Sequence, residues 1–406
     1  MFLRKLQLFC CAAMLVMPSL MTAQSKYDQQ KPFGFCTRSS RTDASAASAY
    51  SITGGGCYTY PIKGVDAAKV TTLVSTGKDQ REEIMAAIEN YDVVVFDGAK
   101  GDFILGRTMQ VDGVKNKTLL GINGAKLRTQ WVLTADVRKL LDDAGVLQKS
   151  TSGGTGGKLS NGRFVSEEAE MCVRQLLIDY FKDPDEKFKD AGVLKMAHCE
   201  NIIIRNLSFQ GPGSIDVSGA DLLAISGATK HVWVDHCDFC DGSDGNFDID
   251  QSSDFITVSW CRFHYSENAY MHQNTNLVGS NDKEPQGYLN TTFAFNNWGD
   301  GCKQRMPMAR VGKIHLMNNY YSCVGNGASV NPRISSEVMI EGNYFLKGVK
   351  VFSQSKALAW EWKDSNIAEG GDKPDSNGKV SIPYDYKVVS AKSVPTEVGK
   401  YAGATL

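Results

Sequence analysis

HVWVDHCDF (231–239) and ITVSWCRF (256–263) are two versions of one pattern: a run rich in β-branched residues, a polar corner and a closing aromatic. NIIIRNLSF (201–209), IHLMNNYY (314–321) and VMIEGNYF (338–345) repeat it, and LNTTFAFNNW (289–298) is a looser copy. The copies start roughly 24 to 34 residues apart, most near 24, and a fixed period in that range marks a solenoid. One short β-run per turn, with few long helices, predicts an all-β parallel β-helix in which each coil lays its strand on the one before.

Aligning the copies stacks like on like. Phe209, Phe239, Phe263, Tyr321 and Phe345 fall in one column, and Leu207, Cys237, Cys261, Asn297, Asn319 and Asn343 in another. Rungs are ~4.8 Å apart, so buried amides can hydrogen-bond along the column. An unsatisfied one would cost ~1–3 kcal/mol. Cys237 and Cys261 are expected to be stacked thiols, although their spacing permits a disulfide.

Upstream, VVVFDG (93–98) and KTLLGINGAKL (117–127) read as strands, residues 79–89 as a helix and residues 27–60 as polar loop. Residues 131–195 break the rhythm. Helical patterns at 134–147 and 166–181 flank a Gly/Ser/Lys loop, an expected insertion on the framework, with a separate small domain as the alternative.

The 406 residues are 42% hydrophobic, enough for one long domain or two ordinary ones, and the net charge of −1 argues for no polyanionic partner. Attraction for an acidic ligand would have to be local. Residues 1–23 read as a signal peptide: Arg4 and Lys5, an apolar run over 6–20, then Met21-Thr22-Ala23. The run is shorter than the ~20 apolar residues of a membrane span, and Cys10 and Cys11 come too early in it to suggest a lipid anchor. Nine further cysteines, an odd number, read mainly as small buried hydrophobes.

Taken together and in order, HVWVDHCDF, DGNFDIDQSSDFITVSWCRF (244–263) and QRMPMARVGKIHLMNNYY (304–321) resemble the pectate lyase family of right-handed parallel β-helices. KPFGF (31–35), Gly54-Gly55-Gly56, KTLLGINGAKL, NIIIRNLSF, IPYDYKVV (382–389), SVPTEV (393–398) and YAGA (401–404) agree. The resemblance implies one domain over 24–406 and a secreted, monomeric lyase. Its expected partner is polygalacturonate, with neither nucleic acid nor a membrane span involved.

Asp221, Asp244 and Asp248 would read, alone, as a solvated acidic loop. Carboxylates converging from neighbouring coils also suit Ca²⁺, which takes 6–8 oxygens, and the resemblance places these three at the family's calcium ligands. Gly219 stands where some members carry another acid. Arg305 and Arg310, stiffened by Pro307, form a fork for carboxylates or a surface turn. By resemblance, Arg305 is the base of a β-elimination and Arg310 supports the substrate. A guanidinium is ordinarily charged, so an alkaline optimum is expected. Asn268 stands where bacterial members carry a substrate-binding lysine. His264, His272, Asp235, His236, Trp233 and Trp260 read as structural; strand alternation lets only one of Asp235 and His236 point outward. The alternatives are a pectin lyase acting on methyl-esterified chains and a non-catalytic β-helix that binds acidic polysaccharide.

Overall fold

The computed structural model describes residues 24–145, 166–214, 219–269 and 272–406; the expected signal peptide lies outside them. Among the described residues, the strands form three parallel sheets of ten, nine and seven strands, each coil adding one strand to the sheets it crosses. This is the parallel β-helix that the repeat predicts.

The corner of each copy explains how a strand turns. One residue per coil takes a left-handed backbone: Asn206, His236, Trp260, Phe295 and Asn318 at φ between 47° and 58°, then Gly342 at 65°. Asn and Gly reach this region at little cost, whereas bulky residues do so rarely. The bulky ones stack on one another, His236 on Trp260 at 5.7 Å and Trp260 on Phe295 at 4.7 Å. The corner also interrupts strand alternation. Asp235 and His236 therefore both lie outside the lumen, correcting the expectation that only one could. Both are covered: Asp235 accepts from Arg205 Nε at 2.8 Å and Ser259 Oγ at 2.6 Å, and His236 Nδ1 pairs with Asp235 at 2.7 Å.

Inside the coil, the aromatic column runs Phe209, Phe239, Phe263, Trp298, Tyr321 and Phe345, with centroid spacings of 4.9, 5.1, 5.7, 4.7 and 4.2 Å. Trp298 pairs with Phe263, so Cys261 faces Asn296 rather than Asn297. The polar column is thus Cys237, Cys261, Asn296, Asn319, Asn343 and Asn366. The Oδ1 atoms of Asn296, Asn319, Asn343 and Asn366 each accept the backbone N–H of the residue one rung before, at 2.9 Å. Their Nδ2 groups donate to carbonyls of Val258, Phe293, Leu316 and Ile340 at 2.8 to 3.0 Å. Cys237 and Cys261 continue the column as thiols, directed at the carbonyls of Ile204 and Val234. All nine cysteines in the described residues are unpaired, eight of them buried.

The ends and one outer face are closed. Helix α1 (Arg81–Asn90) turns Ile84, Ala87 and Ile88 onto the first coil. The arm read as loop over 27–60 is anchored rather than free: Phe35 and Cys36 are buried, and their N–H groups donate to Thr292 and Thr257 on the ten-stranded sheet. The C-terminal segment crosses the same sheet, with the Tyr384 hydroxyl 2.6 Å from Thr292 Oγ1.

Between strands Lys126–Thr129 and Leu194–Ala197 the chain makes its longest excursion. Helices α2 (Ala135–Ala144) and α3 (Glu167–Phe181) share a small core of Leu141, Val173, Leu177 and Phe188 with Trp131 and Leu133. Ser166 Oγ caps α3 by accepting from Ala169 N at 3.1 Å. Strand Leu194–Ala197 then re-enters beside Met109–Asp112, in register. Residues 146–165, including all of the expected Gly/Ser/Lys loop, lie outside the described residues.

Candidate active site

The seven-stranded sheet carries an outward row, one residue per coil: Gln110, Lys195, Ala224, Asp248, Leu277, Met308 and Asn331. Asp248 sits at its middle. Asp221 and Asp244 occupy the turns that lead into the strands Leu223–Ser226 and Phe247–Ile249. Two backbone bonds lash these turns together: Asp244 N to Ala220 O at 3.3 Å and Leu222 N to Gly245 O at 3.2 Å. The backbone at Gly245 passes between carboxylates. A Cβ there would lie 2.6 Å from Asp221 Oδ1 and 3.3 Å from Asp248 Oδ1, so any larger residue would displace the Asp221 carboxylate.

The three aspartates are therefore neighbours, and their electrostatics show it. Burial pushes the Asp221 carboxyl well above the usual carboxylate range, the charges of Asp248 and Asp244 add to this, and Arg305 opposes it. Asp248 is pushed up to about 8, again mainly by burial, with Asp244 adding to it and Arg305 opposing. Asp248 Oδ1 accepts the Leu277 N–H at 3.0 Å, while Asp221 Oδ1 is sealed from solvent with no hydrogen-bond partner. Like charges at burial and an orphaned oxygen are features that a hard divalent cation would relieve, by removing the repulsion and giving the oxygen a partner. As they stand, no three ligating side chains among the described residues converge on one point; Asp244 Oδ1 is instead 3.0 Å from His272 Nε2. Gly219 borders the cluster. A Cβ there would lie 3.9 Å from Asp244 Oδ2, so an acid at 219 would join the set, and this chain does without it.

The arginines stand further along the same sheet. Arg305 is half-buried with φ at 64°. Such a backbone is costly for a side chain of this size. It is held by Met306 N donating to Ser329 O at 2.9 Å and by Asn276 N donating to the Arg305 carbonyl at 2.7 Å. Its charge is felt by both Asp221 and Asp248. Arg310 donates from Nε to Asp282 at 3.0 Å and from Nη1 to the Gly279 carbonyl at 2.6 Å. Burial lowers its pKa, the Asp282 carboxylate opposes this, and the charges of Arg305 and Arg333 add to the lowering.

Arg333 is the functional candidate that the sequence reading missed. Strand register sets Ala309 against Pro332, placing Arg333 one coil beyond Arg310. Its Nη1 lies 3.4 Å from Met308 Sδ, and its buried Nε has no partner. The legible signal was Asn331-Pro332-Arg333, one repeat after Met308-Ala309-Arg310. Asn268 lies elsewhere, on the loop that Ser266 ties to Asp241, with its carbonyl against Gly213 beside Leu133 of the excursion. His264 pairs with Asp238 at 3.0 Å and stays outside the cluster.

A family model described as pectate lyase matches residues 184–405 of the chain. Pectate lyase A of Aspergillus niger is 31% identical over 238 residues, which are 55% of this chain and 68% of that protein. The pectate trisaccharide-lyase of Thermotoga maritima is 37% identical over 139 residues, 32% of this chain and 36% of its own. Among solved structures, pectate lyase Bsp165PelA of Bacillus sp. N165, in complex with trigalacturonate, overlays with a TM-score of 0.56 at 17% identity, covering 92% of this chain and 99% of that one. The cedar pollen allergen jun a 1 overlays at 0.54 and 18% identity, covering 87% and 92%. Both share the fold.

Proposed function

The chain belongs to the pectate lyase family, and we propose that its seven-stranded sheet cleaves polygalacturonate by calcium-assisted β-elimination. It is a polysaccharide lyase. The observation that carries the mechanism is the pairing, along one sheet face, of a half-buried three-aspartate cluster with three arginines, Arg305, Arg310 and Arg333.

Asp221, Asp244 and Asp248 are the residues to hold Ca²⁺. Bound there, the ion would supply positive charge to a uronate carboxylate and make the proton on C5 more acidic. Arg305, close enough to bear on Asp221 and Asp248, would take that proton in its deprotonated form. The C5–H electron pair becomes the C4–C5 double bond, the C4–O bond breaks, and the departing oxygen is protonated. Arg310 and Arg333 offer donors to neighbouring carboxylates, and their charge adds to that around Arg305. Arg310 is held for this by Asp282 and the Gly279 carbonyl.

The excursion at 131–195 belongs, in this reading, to one β-helix domain over 24–406, working as an exported monomer once residues 1–23 are removed. No helix among the described residues is long and apolar enough to cross a membrane. Mass spectrometry of the products tests the reaction type. Elimination yields one fragment lighter by a water than its hydrolytic counterpart; a full set of hydrolytic masses would reject the proposal.

A further inference from the structure

A cavity of about 320 Å³ opens on the N-terminal side of the aspartate cluster. Asp221 and Ala224 border it at the cluster end, Lys195 and Gln110 continue the outward row along its floor, and Lys189 reaches it from the excursion. We propose that this cavity is a distal subsite for the polyuronate chain, in which Lys195 and Lys189 receive a carboxylate of a sugar beyond the one at the aspartates. The proposal rests on the reading of the site as a polygalacturonate groove and adds its direction and reach.

The spacing suits it. Asp248 is opposite Ala224, and Ala224 is opposite Lys195, so Lys195 stands two rungs, about 10 Å, from Asp248. Ala224 is the smallest side chain in the row and leaves the floor between them clear. A polyuronate carries a carboxylate on every sugar, so a groove that binds it needs cations beyond the reacting one.

The charge suits it too. Lys195 makes no ion pair among the described residues, and a lysine is a compact cation with three donors. Lys189 does have a partner, Glu186, but Arg174 Nη2 binds the same carboxylate at 2.8 Å. Glu170 also acts on Lys189, so its ammonium is held at the wall by a mixed cluster of charges, not a surplus of one sign. Asp190, also on the wall, is taken up by Arg107 at 3.2 Å. Asp250 Oδ1, buried and unpartnered, offers an acceptor for a sugar hydroxyl. The excursion thereby acquires a role. It brings Lys189, on the short turn Lys187–Asp190, to the side of a groove whose floor the solenoid alone provides.

The test uses Lys195→Ala and Lys189→Ala in the full chain, with KM and kcat measured on polygalacturonate and on trigalacturonate. For each variant KM on the polymer should rise roughly tenfold, the scale of one charged hydrogen bond, and rise less on the trimer. kcat should move much less than KM. Circular dichroism and melting temperature guard against misfolding, and Lys195→Arg should restore most of the affinity. If KM on the polymer is unchanged in both variants, the subsite is refuted. Should the wild type lack lyase activity, the function reading falls separately. Calorimetric binding of hexagalacturonate then decides the subsite: weaker binding to Lys195→Ala supports it and unchanged binding overturns it.

Discussion

His272 Nε2 lies 3.0 Å from Asp244 Oδ1, tying the loop before strand Asn276–Val278 to the carboxylate cluster. Asp244 Oδ2 is left facing the side where Gly219 lies. The histidine thus orients one carboxylate of a set that has three acids.

His272→Ala is therefore expected to weaken calcium binding by 10- to 100-fold, the usual consequence of removing a group that orients a ligand. Calorimetric titration with calcium measures it. Equal or tighter binding would show that His272 competes with the ion instead of positioning its ligand.

The asparagine ladder makes a prediction about stability. Asn319 Oδ1 accepts the Asn296 N–H, and its Nδ2 donates to Phe293 O and Asn343 Oδ1, all at 2.9 Å. Asn319→Leu takes the acceptor from the buried Asn296 N–H and the donor from Phe293 O, for a loss of about 2–3 kcal/mol. Urea unfolding should show a lower midpoint, whereas Lys373→Ala, at an exposed position, should change little.

Acid sensitivity should trace in part to His231. Its ring is buried, stacked at 3.4 Å on Tyr50 and at 5.2 Å on Phe255. Burial lowers its pKa from 6.5 to about 4. Above pH 6.5 the ring is neutral in folded and unfolded chains and contributes nothing to pH dependence. As pH falls from there towards 4, only the unfolded chain takes up the proton, and stability declines by roughly 3 kcal/mol in all. His231→Phe keeps the stack and removes the proton site. Its melting temperature should fall less between pH 7 and pH 4.5 than that of the wild type; a parallel fall would assign the acid sensitivity elsewhere.

The coil architecture was readable because stacking demands like residues at like positions, as in Phe209, Phe239 and Phe263. The slip between Asn296 and Asn297 arose where two adjacent asparagines follow Phe295, and only the fit of Trp298 into the aromatic column decides between them. Asp221, Asp244, Asp248, Arg305 and Arg310 were singled out through the family resemblance, and the structure brings the three aspartates into one another's electrostatic reach. Lys189 and Lys195 were not, because no motif points to them, and Arg333 was passed over although Asn331-Pro332-Arg333 follows Met308-Ala309-Arg310 by one repeat. They reach it through strand register between coils of unequal length and through an excursion whose path back to the sheet is a matter of packing. Asp235 and His236 were misjudged because a left-handed corner, invisible in the periodicity, separates them.

On the proposed function, the aspartate cluster and Arg305 act together through calcium on polygalacturonate. The most direct measurement follows the ultraviolet absorbance of the unsaturated product, with calcium and with chelator, for the wild type and for Arg305→Ala. The wild type should generate signal that chelation abolishes, and Arg305→Ala should be slower by at least about 10²-fold, the scale of a lost general base, with its melting temperature retained. Chelator-resistant cleavage by the wild type, or wild-type rates from Arg305→Ala, would contradict the account.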